Sequence, residues 1–238
     1  MKTLLNIILV TFLLMIVSSC KKEESLTGSF TDSRDGTVYK TIKIGNQTWM
    51  AENLAYLPAV HRSTEGSETE PRYYVYAYSG NDVNEAIASA NYPKYGVLYN
   101  FEAAESACPT GWHLPSDADW FEMEVLLGMS VDEQEDTGPR GLDEAVGDKL
   151  KSKSGWGWDD FNDEDGNGTN ESGFTALPGG IRMHGGGYDE EGTWGYFWGS
   201  TQDNSTHYFA RYLASDIEAI MRFNYYIGYG LSVRCVKD

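Results

Sequence analysis

The sequence predicts an α+β domain: antiparallel sheets, two helices and a long irregular loop region. Three observations carry that expectation. The 238 residues include 16 Tyr, 9 Phe, 7 Trp and 26 Gly, a composition of short strands and many turns. Two stretches have helical spacing of apolar residues, and the C-terminal stretch alternates as strands. With 41% hydrophobic residues the chain can bury a core, and its length suits one domain after an N-terminal segment is set aside.

That segment is an address. Lys2 precedes an apolar run from Leu4 to Val17, too short for the ~20 residues a bilayer-spanning helix needs. Val17-Ser18-Ser19-Cys20 follows and resembles a bacterial lipobox, which implies that residues 1–19 are a lipoprotein signal peptide and that Cys20 is acylated. Several acyl chains anchor a protein stably where a single one binds only marginally. Residues 20–36, polar and aperiodic, read as lipidated N-terminus and tether, leaving 37–238 as the folded domain. No Asp follows Cys20, so the resemblance implies the outer membrane. Lys22-Glu23-Glu24 looks like the tether of lipoproteins exported to the cell surface, with a plain solvated linker as the alternative.

The elements follow in order. Val38, Ile42 and Ile44 share one face of a strand, Gly45-Asn46 makes a two-residue turn, and Gln47 to Met50 returns. His61 to Pro71 is a polar loop, and Arg72 to Tyr78 alternates as a strand. Leu98, Phe101, Ala104 and Ala107 predict a helix over 97–107. Ser116 and Asp119 form a capping box for a second helix with Trp120, Met123 and Leu127 as its buried stripe, ending near Gly128. From Gly138 to Ser200 the chain is rich in Gly, Asp and Trp without regular periodicity. Strands return at 207–213, 218–224 and 230–236, the last with Leu231, Val233 and Cys235 on one side.

Charge excludes some partners. Against 18 basic residues stand 36 acidic ones, a net charge of −18, which repels nucleic-acid phosphates and anionic membrane surfaces. Contact with a membrane is therefore expected through the N-terminal lipid alone. Three cysteines are present; with Cys20 acylated, Cys108 and Cys235 remain. Outside the cytoplasm two such thiols are expected to pair, with two buried free thiols as the alternative.

Several motifs then fall into sequence. They are Tyr39 to Leu54 (YKTIKIGNQTWMAENL), Tyr95 to Phe101 (YGVLYNF), Cys108 to Ser116 (CPTGWHLPS), Gly173 to Gly180 (GFTALPGG) and Ser232 to Asp238 (SVRCVKD). Together they resemble the Fibrobacter succinogenes major paralogous domain, over about residues 37–238. The resemblance implies a C-type lectin-like fold. It also implies a disulfide from the Cys after the first helix to the Cys of the last strand, here Cys108 and Cys235.

Two constellations carry candidate chemistry. Between Trp156 and Glu171 the Asp, Asn and Gly residues can wrap oxygens around Ca²⁺, with Asp159, Asp163, Asp165 and Asn167 as candidate ligands. The segment fails the EF-hand pattern, because aligning Gly166 on its invariant glycine puts Phe161 at the first ligand position. The Glu-Pro-Asn, Gln-Pro-Asp and Trp-Asn-Asp triplets of calcium-dependent sugar binders are missing too, and the chain demands no cofactor. Trp156, Trp158, Trp194 and Tyr196 are candidate ligand-binding aromatics, since rings stack on sugar faces; core packing is the competing account. Gly185-Gly186-Gly187 lacks the Lys of a phosphate loop, and no Gly-x-Ser-x-Gly elbow occurs. The expected role is a non-catalytic surface lipoprotein with a lectin-like domain for a glycan or surface protein. A carboxylate-dependent hydrolase and a purely structural envelope component are the alternatives.

Overall fold

Strand pairing begins at Thr27, inside the stretch read from the sequence as tether. The computed structural model describes residues 26–159 and 163–238, so residues 1–19 and Cys20 lie outside the described residues. Strands β1 (Thr27–Thr31), β2 (Val38–Ile44) and β3 (Gln47–Met50) form an antiparallel meander, with the expected turn at Gly45-Asn46. Then come β4 (Tyr73–Tyr74), α1 (Val83–Ile87), α2 (Tyr92–Tyr95), β5 (Leu98–Tyr99), α3 (Phe101–Ala104), β6 (Trp112–His113) and α4 (Asp117–Leu126). Beyond a 3-10 turn lie β7 (Gly138–Arg140), α5 (Val146–Leu150), β8 (Trp158–Asp159), β9 (Glu164–Asp165), β10 (Gly179–Arg182) and β11 (Tyr188–Glu191). The chain closes with β12 (Trp194–Asn204), β13 (His207–Ala214), β14 (Ile217–Tyr226) and β15 (Val236–Lys237).

Two sheets dominate, in the orders β1-β2-β3-β15-β6 and β11-β10-β12-β13-β14-β7. Because successive residues of a strand point to opposite faces, each sheet divides its side chains between two hydrophobic clusters. Tyr39, Met50, Tyr196, Trp198, Tyr212 and Cys235 enter one. Ile42, Trp49, Phe197, Leu213, Ile220 and Val236 enter the other. No helix among the described residues is long and apolar enough to cross a membrane.

Several expectations need correction. The strand over 72–78 shrinks to Tyr73–Tyr74, because Tyr78 N–H donates to Val75 O at 3.0 Å and Ala77 takes φ 60°. The helix over 97–107 shrinks to four residues. Asn100 Oδ1 accepts from Ala103 N–H at 3.1 Å and from Arg72 N–H at 2.8 Å, so the helix starts after it while Leu98 and Tyr99 stay extended to pair with β4. Leu98, Phe101, Ala104 and Ala107 are nevertheless all buried; their spacing reported burial rather than conformation. Among the described residues five short α-helices stand where two were expected. The region 138–200, read as irregular, contributes β7 to β12 and α5. Its strands are mostly two to four residues long, too short to show a period, and in β12 both faces of Trp194 to Trp198 are apolar, which erases alternation. The capping box of α4 is present as predicted, with Ser116 N–H donating to Asp119 Oδ2 at 2.8 Å.

The motifs that carry the resemblance meet at one buried cation. Arg234 is fully buried, and burial pushes its pKa down to about 9. Its Nε donates to Asn53 Oδ1 at 2.7 Å and its Nη2 to Thr175 O at 2.7 Å, while Nη1 reaches Phe174 O. Asn53 Nδ2 in turn donates to Tyr95 O at 2.9 Å and Ser232 Oγ at 3.2 Å. Four segments distant in sequence are thus tied through hydrogen bonds to a guanidinium whose desolvation makes each of them necessary. The fifth is tied covalently: Cys108 and Cys235 form a disulfide across 127 residues. A loop of that length is credited with ~4–5 kcal/mol in chain-entropy models.

Candidate functional site

The register of β12, β13 and β14 sorts their side chains into two unlike faces. Tyr196 lies opposite Tyr212, and Tyr212 opposite Met221; Ala210 faces Phe223, and Tyr208 faces Tyr225. One face is therefore a ladder of rings. Trp194 stacks on Tyr212 at 5.1 Å between centroids, Tyr196 lies 5.4 Å from Tyr212, and Tyr212 stacks on Phe223 at 5.9 Å. Tyr225 meets Tyr196 edge-on at 5.6 Å and Tyr229 at 5.7 Å. The other face carries Phe197, Arg211 and Arg222 and is covered by α4.

Over the outer end of the ladder lies a cleft of about 1260 Å³. Tyr212, Phe223, Tyr225, Tyr226 and Tyr229 line it, with His207 at the start of β13. Three loops form its walls: Gly66 to Thr69, His184-Gly185 in the turn between β10 and β11, and Gly228-Tyr229 after β14. The glycines after His184 serve that turn, in which Gly186 and Gly187 hold φ of 95° and 87°.

One buried side chain fixes these walls together. Arg182 is fully buried, and its guanidinium donates to Ser63 O from Nε at 2.9 Å, to Gly228 O at 2.8 Å and to His184 O at 3.3 Å. These carbonyls flank all three loops of the cleft. Its guanidinium also sits 4.6 Å over the Tyr74 ring. No carboxylate pairs with it in those contacts, and burial lowers its pKa. Backbone Arg182 and Gly230 exchange hydrogen bonds of 2.9 and 2.8 Å, and Gly230 has to be glycine because a Cβ there would stand 2.9 Å from that of Arg182.

Electrostatically the cleft is anionic and phenolic. Among the described residues Glu68 is the one carboxylate in its lining, and that carboxylate beside the Tyr226 hydroxyl raises the tyrosine's pKa. Behind the ladder Glu190, at φ 65°, accepts from the Tyr196 hydroxyl. Burial, reinforced by that carboxylate, pushes the Tyr196 hydroxyl far up, so it stays a neutral donor. Burial likewise raises Tyr212 and Tyr225. The rings of His184 and His207 each lie 5.6 Å from that of Tyr226. Such a surface offers ring faces for C–H contacts and hydroxyls at fixed positions for polar ones.

The residues proposed from sequence divide between regions. Trp194 and Tyr196 belong to the ladder, stacked at 6.0 Å, and back Tyr212 rather than lining the cleft themselves. Trp156 is 5% exposed and lies under the other face of β12, its indole N–H donating to Ser152 Oγ at 3.0 Å and Ala176 O at 3.2 Å. Trp158 is 56% exposed, on the β8–β9 hairpin. The four aromatics do not form one platform.

The calcium candidates are arranged around an amine. Asp159, Asp165 and Asn167 line a cavity of about 20 Å³ together with Asp148 and Lys151, while Asp163 is exposed. That volume holds on the order of one water molecule. Lys151 Nζ pairs with Asp148 at 2.8 Å and donates to Ala214 O at 3.1 Å. Asn167 Oδ1 accepts from Trp156 N–H at 3.0 Å, and Asp165 Oδ1 from Asn167 N–H at 3.1 Å, so these oxygens shape the loop. Among the described residues no group of three or more His, Cys, Asp or Glu is placed to hold a metal ion.

Sequence reasoning missed Tyr212, Phe223, Tyr225, Tyr226, Tyr229, Glu68 and Arg182. Alternation within His207–Leu213 and Glu218–Asn224 was visible and could have put Tyr212 and Phe223 on one face. Nothing local marked Arg182 as the tie between three loops. Comparison with curated proteins and with solved structures returned no match. Residues 42–237 match the Fibrobacter succinogenes major domain, and the chain belongs to that family.

Proposed function

We propose that this chain is a non-catalytic, lipid-anchored surface protein whose domain binds a glycan along the tyrosine-lined cleft. The observation that carries the reading is the cleft itself, large enough for several sugar rings and walled by Tyr212, Phe223, Tyr225, Tyr226 and Tyr229. Aromatic rings contribute contact area at low entropic cost, and the tyrosine hydroxyls discriminate ring substituents. A lectin-like scaffold agrees with two sheets, loops gathered over one of them, and the Cys108–Cys235 bond reaching the C-terminal segment. Binding is favoured over hydrolysis because two-carboxylate glycosidase chemistry uses a facing pair. Here Glu68 stands by itself in the lining and Glu190 is held by Tyr196.

The lipobox supports acylation of Cys20 and display on the outer membrane. Its test is the intact mass of the membrane-extracted chain, expected to begin at an acylated Cys20; a mass retaining residues 1–19 overturns the anchor. For the cleft, the full-length chain in detergent is applied to a glycan array with calcium and again with EDTA. Selective binding indifferent to EDTA and weakened in Phe223→Ala is expected. Silence across the array sinks the glycan reading and leaves a protein partner or a structural role.

A further inference from the structure

Resting on the glycan reading of the cleft, we infer that its ligand is a hexosamine chain with free amino groups, one ammonium seated at Glu68. The charge of the cleft argues for it. The lining brings one carboxylate, Glu68, and no Lys or Arg side chain. Arg182 lies behind the walls, fully buried with its donors on backbone carbonyls. A cation entering beside Glu68 therefore meets a carboxylate that no Lys or Arg of the described lining pairs with, on a molecule whose net charge is already −18.

The rings strengthen the same preference. Glu68 and Tyr226 line the same cleft, so an ammonium at that carboxylate is brought to the edge of the aromatic lining, where tyrosine faces attract cations through their quadrupole. A polyuronate would place its carboxylates against Glu68 in the same cleft. An N-acetylated chain would keep the stacking contacts and lose the charge. Three ligand classes of similar shape are thus separated by one exposed side chain.

The test uses the full-length chain in detergent and three probes: hexamers of glucosamine, N-acetylglucosamine and galacturonate, titrated calorimetrically at low salt. The glucosamine hexamer should bind about fivefold more tightly than the N-acetylated one, the scale of an exposed ion pair. That margin should vanish at ~1 M salt. In E68Q, which changes an exposed side chain and should melt like the parent, the margin should also vanish. Equal affinities for the two hexamers overturn the inference, as does a margin that survives E68Q and so reflects attraction to the whole acidic surface. Array hits confined to sugars without nitrogen overturn it too while the glycan reading stands. Failure of all three hexamers on a chain silent across the array overturns both.

Discussion

The two faces of β12, β13 and β14 belong to the same residues of chain and do opposite things with polarity. On one, Trp194, Tyr196, Tyr212 and Phe223 run outward until Phe223 is 40% exposed. On the other, Arg211 and Arg222 are buried under α4 with Arg140 from β7. Arg211 donates to Asp117 and Glu124 at 2.7 Å each, Arg222 to Asp117 at 2.7 Å, and Arg140 to both Glu124 oxygens at 2.8 and 2.9 Å. Three guanidiniums also surround the ring of Phe121 at 5.4 to 6.0 Å. Residues adjacent in sequence, Arg211 and Tyr212, thus serve a sealed charge network and an open ring surface. The charged face specifies how α4 docks, since buried ions tolerate few geometries. The aromatic face is left adaptable, because ring contacts are less directional than ion pairs.

Breaking the charged face should have the largest effect. Glu124→Gln leaves Arg140 and Arg211 buried without their shared carboxylate and should destabilise the fold by ~3–5 kcal/mol in denaturant unfolding. Glycan affinity per folded molecule should hold; a cleft that fails along with it would mean the faces are not separable. Next comes the tie between the cleft loops. Arg182→Met removes the donors that hold three cleft loops, costing about 1–3 kcal/mol in unfolding, with cleft affinity falling further than in any single ring variant. Unchanged binding in Arg182→Met would show that the loops place themselves. Phe223→Ala acts on the open face alone: affinity should fall about tenfold, within the ~1–1.5 kcal/mol such a ring contact supplies, with the midpoint of unfolding nearly unmoved.

Acid probes the sealed face most gently. Burial works to raise the Asp117 carboxyl, and Arg211 and Arg222 outweigh it, holding its pKa below the ordinary carboxylate value. Its stabilisation is thus present above about pH 4 and is lost as pH falls through the lowered native pKa. Melting curves of the parent and Asp117→Asn should converge toward pH ~2 from a clear gap at pH ~6. A gap constant across that range would mean that packing, rather than charge, makes Asp117 matter.

What could be read in advance had short reach. The Gly45-Asn46 turn and the Ser116–Asp119 cap came through, because each depends on neighbours within a few residues. The strand expected over 230–236 instead shrinks to Val236–Lys237, since Gly230, Leu231 and Ser232 make only isolated bridges, and Ser232 and Arg234 are buried along with Leu231, Val233 and Cys235. Trp156 and Tyr196 show the limit. Both suit either an exposed platform or core packing in a Gly-rich stretch; the core takes Trp156 and the ladder takes Tyr196, a choice made by pairing with β13 and by the hydrogen bonds of Ser152 and Glu190. Of the four candidate calcium ligands, Asp159, Asp165 and Asn167 line one small cavity and Asp163 does not. That Lys151 reaches the same cavity and carries its ammonium there could not be read from their spacing.

By itself the sequence determined the α+β class, the family, the hairpin, the capped helix and the thiols that pair. Each follows from local backbone preference, side-chain period or the chemistry of two remaining cysteines. Only the tertiary structure decided where the cleft is, for its lining comes from residues 66–69, 184–185 and 207–229 and its walls are joined by Arg182. Alternation can say that Arg211 and Tyr212 part company. Which of them borders the cleft depends on α4 lying across one face, and that is settled by long-range ion pairs that no short window of sequence contains.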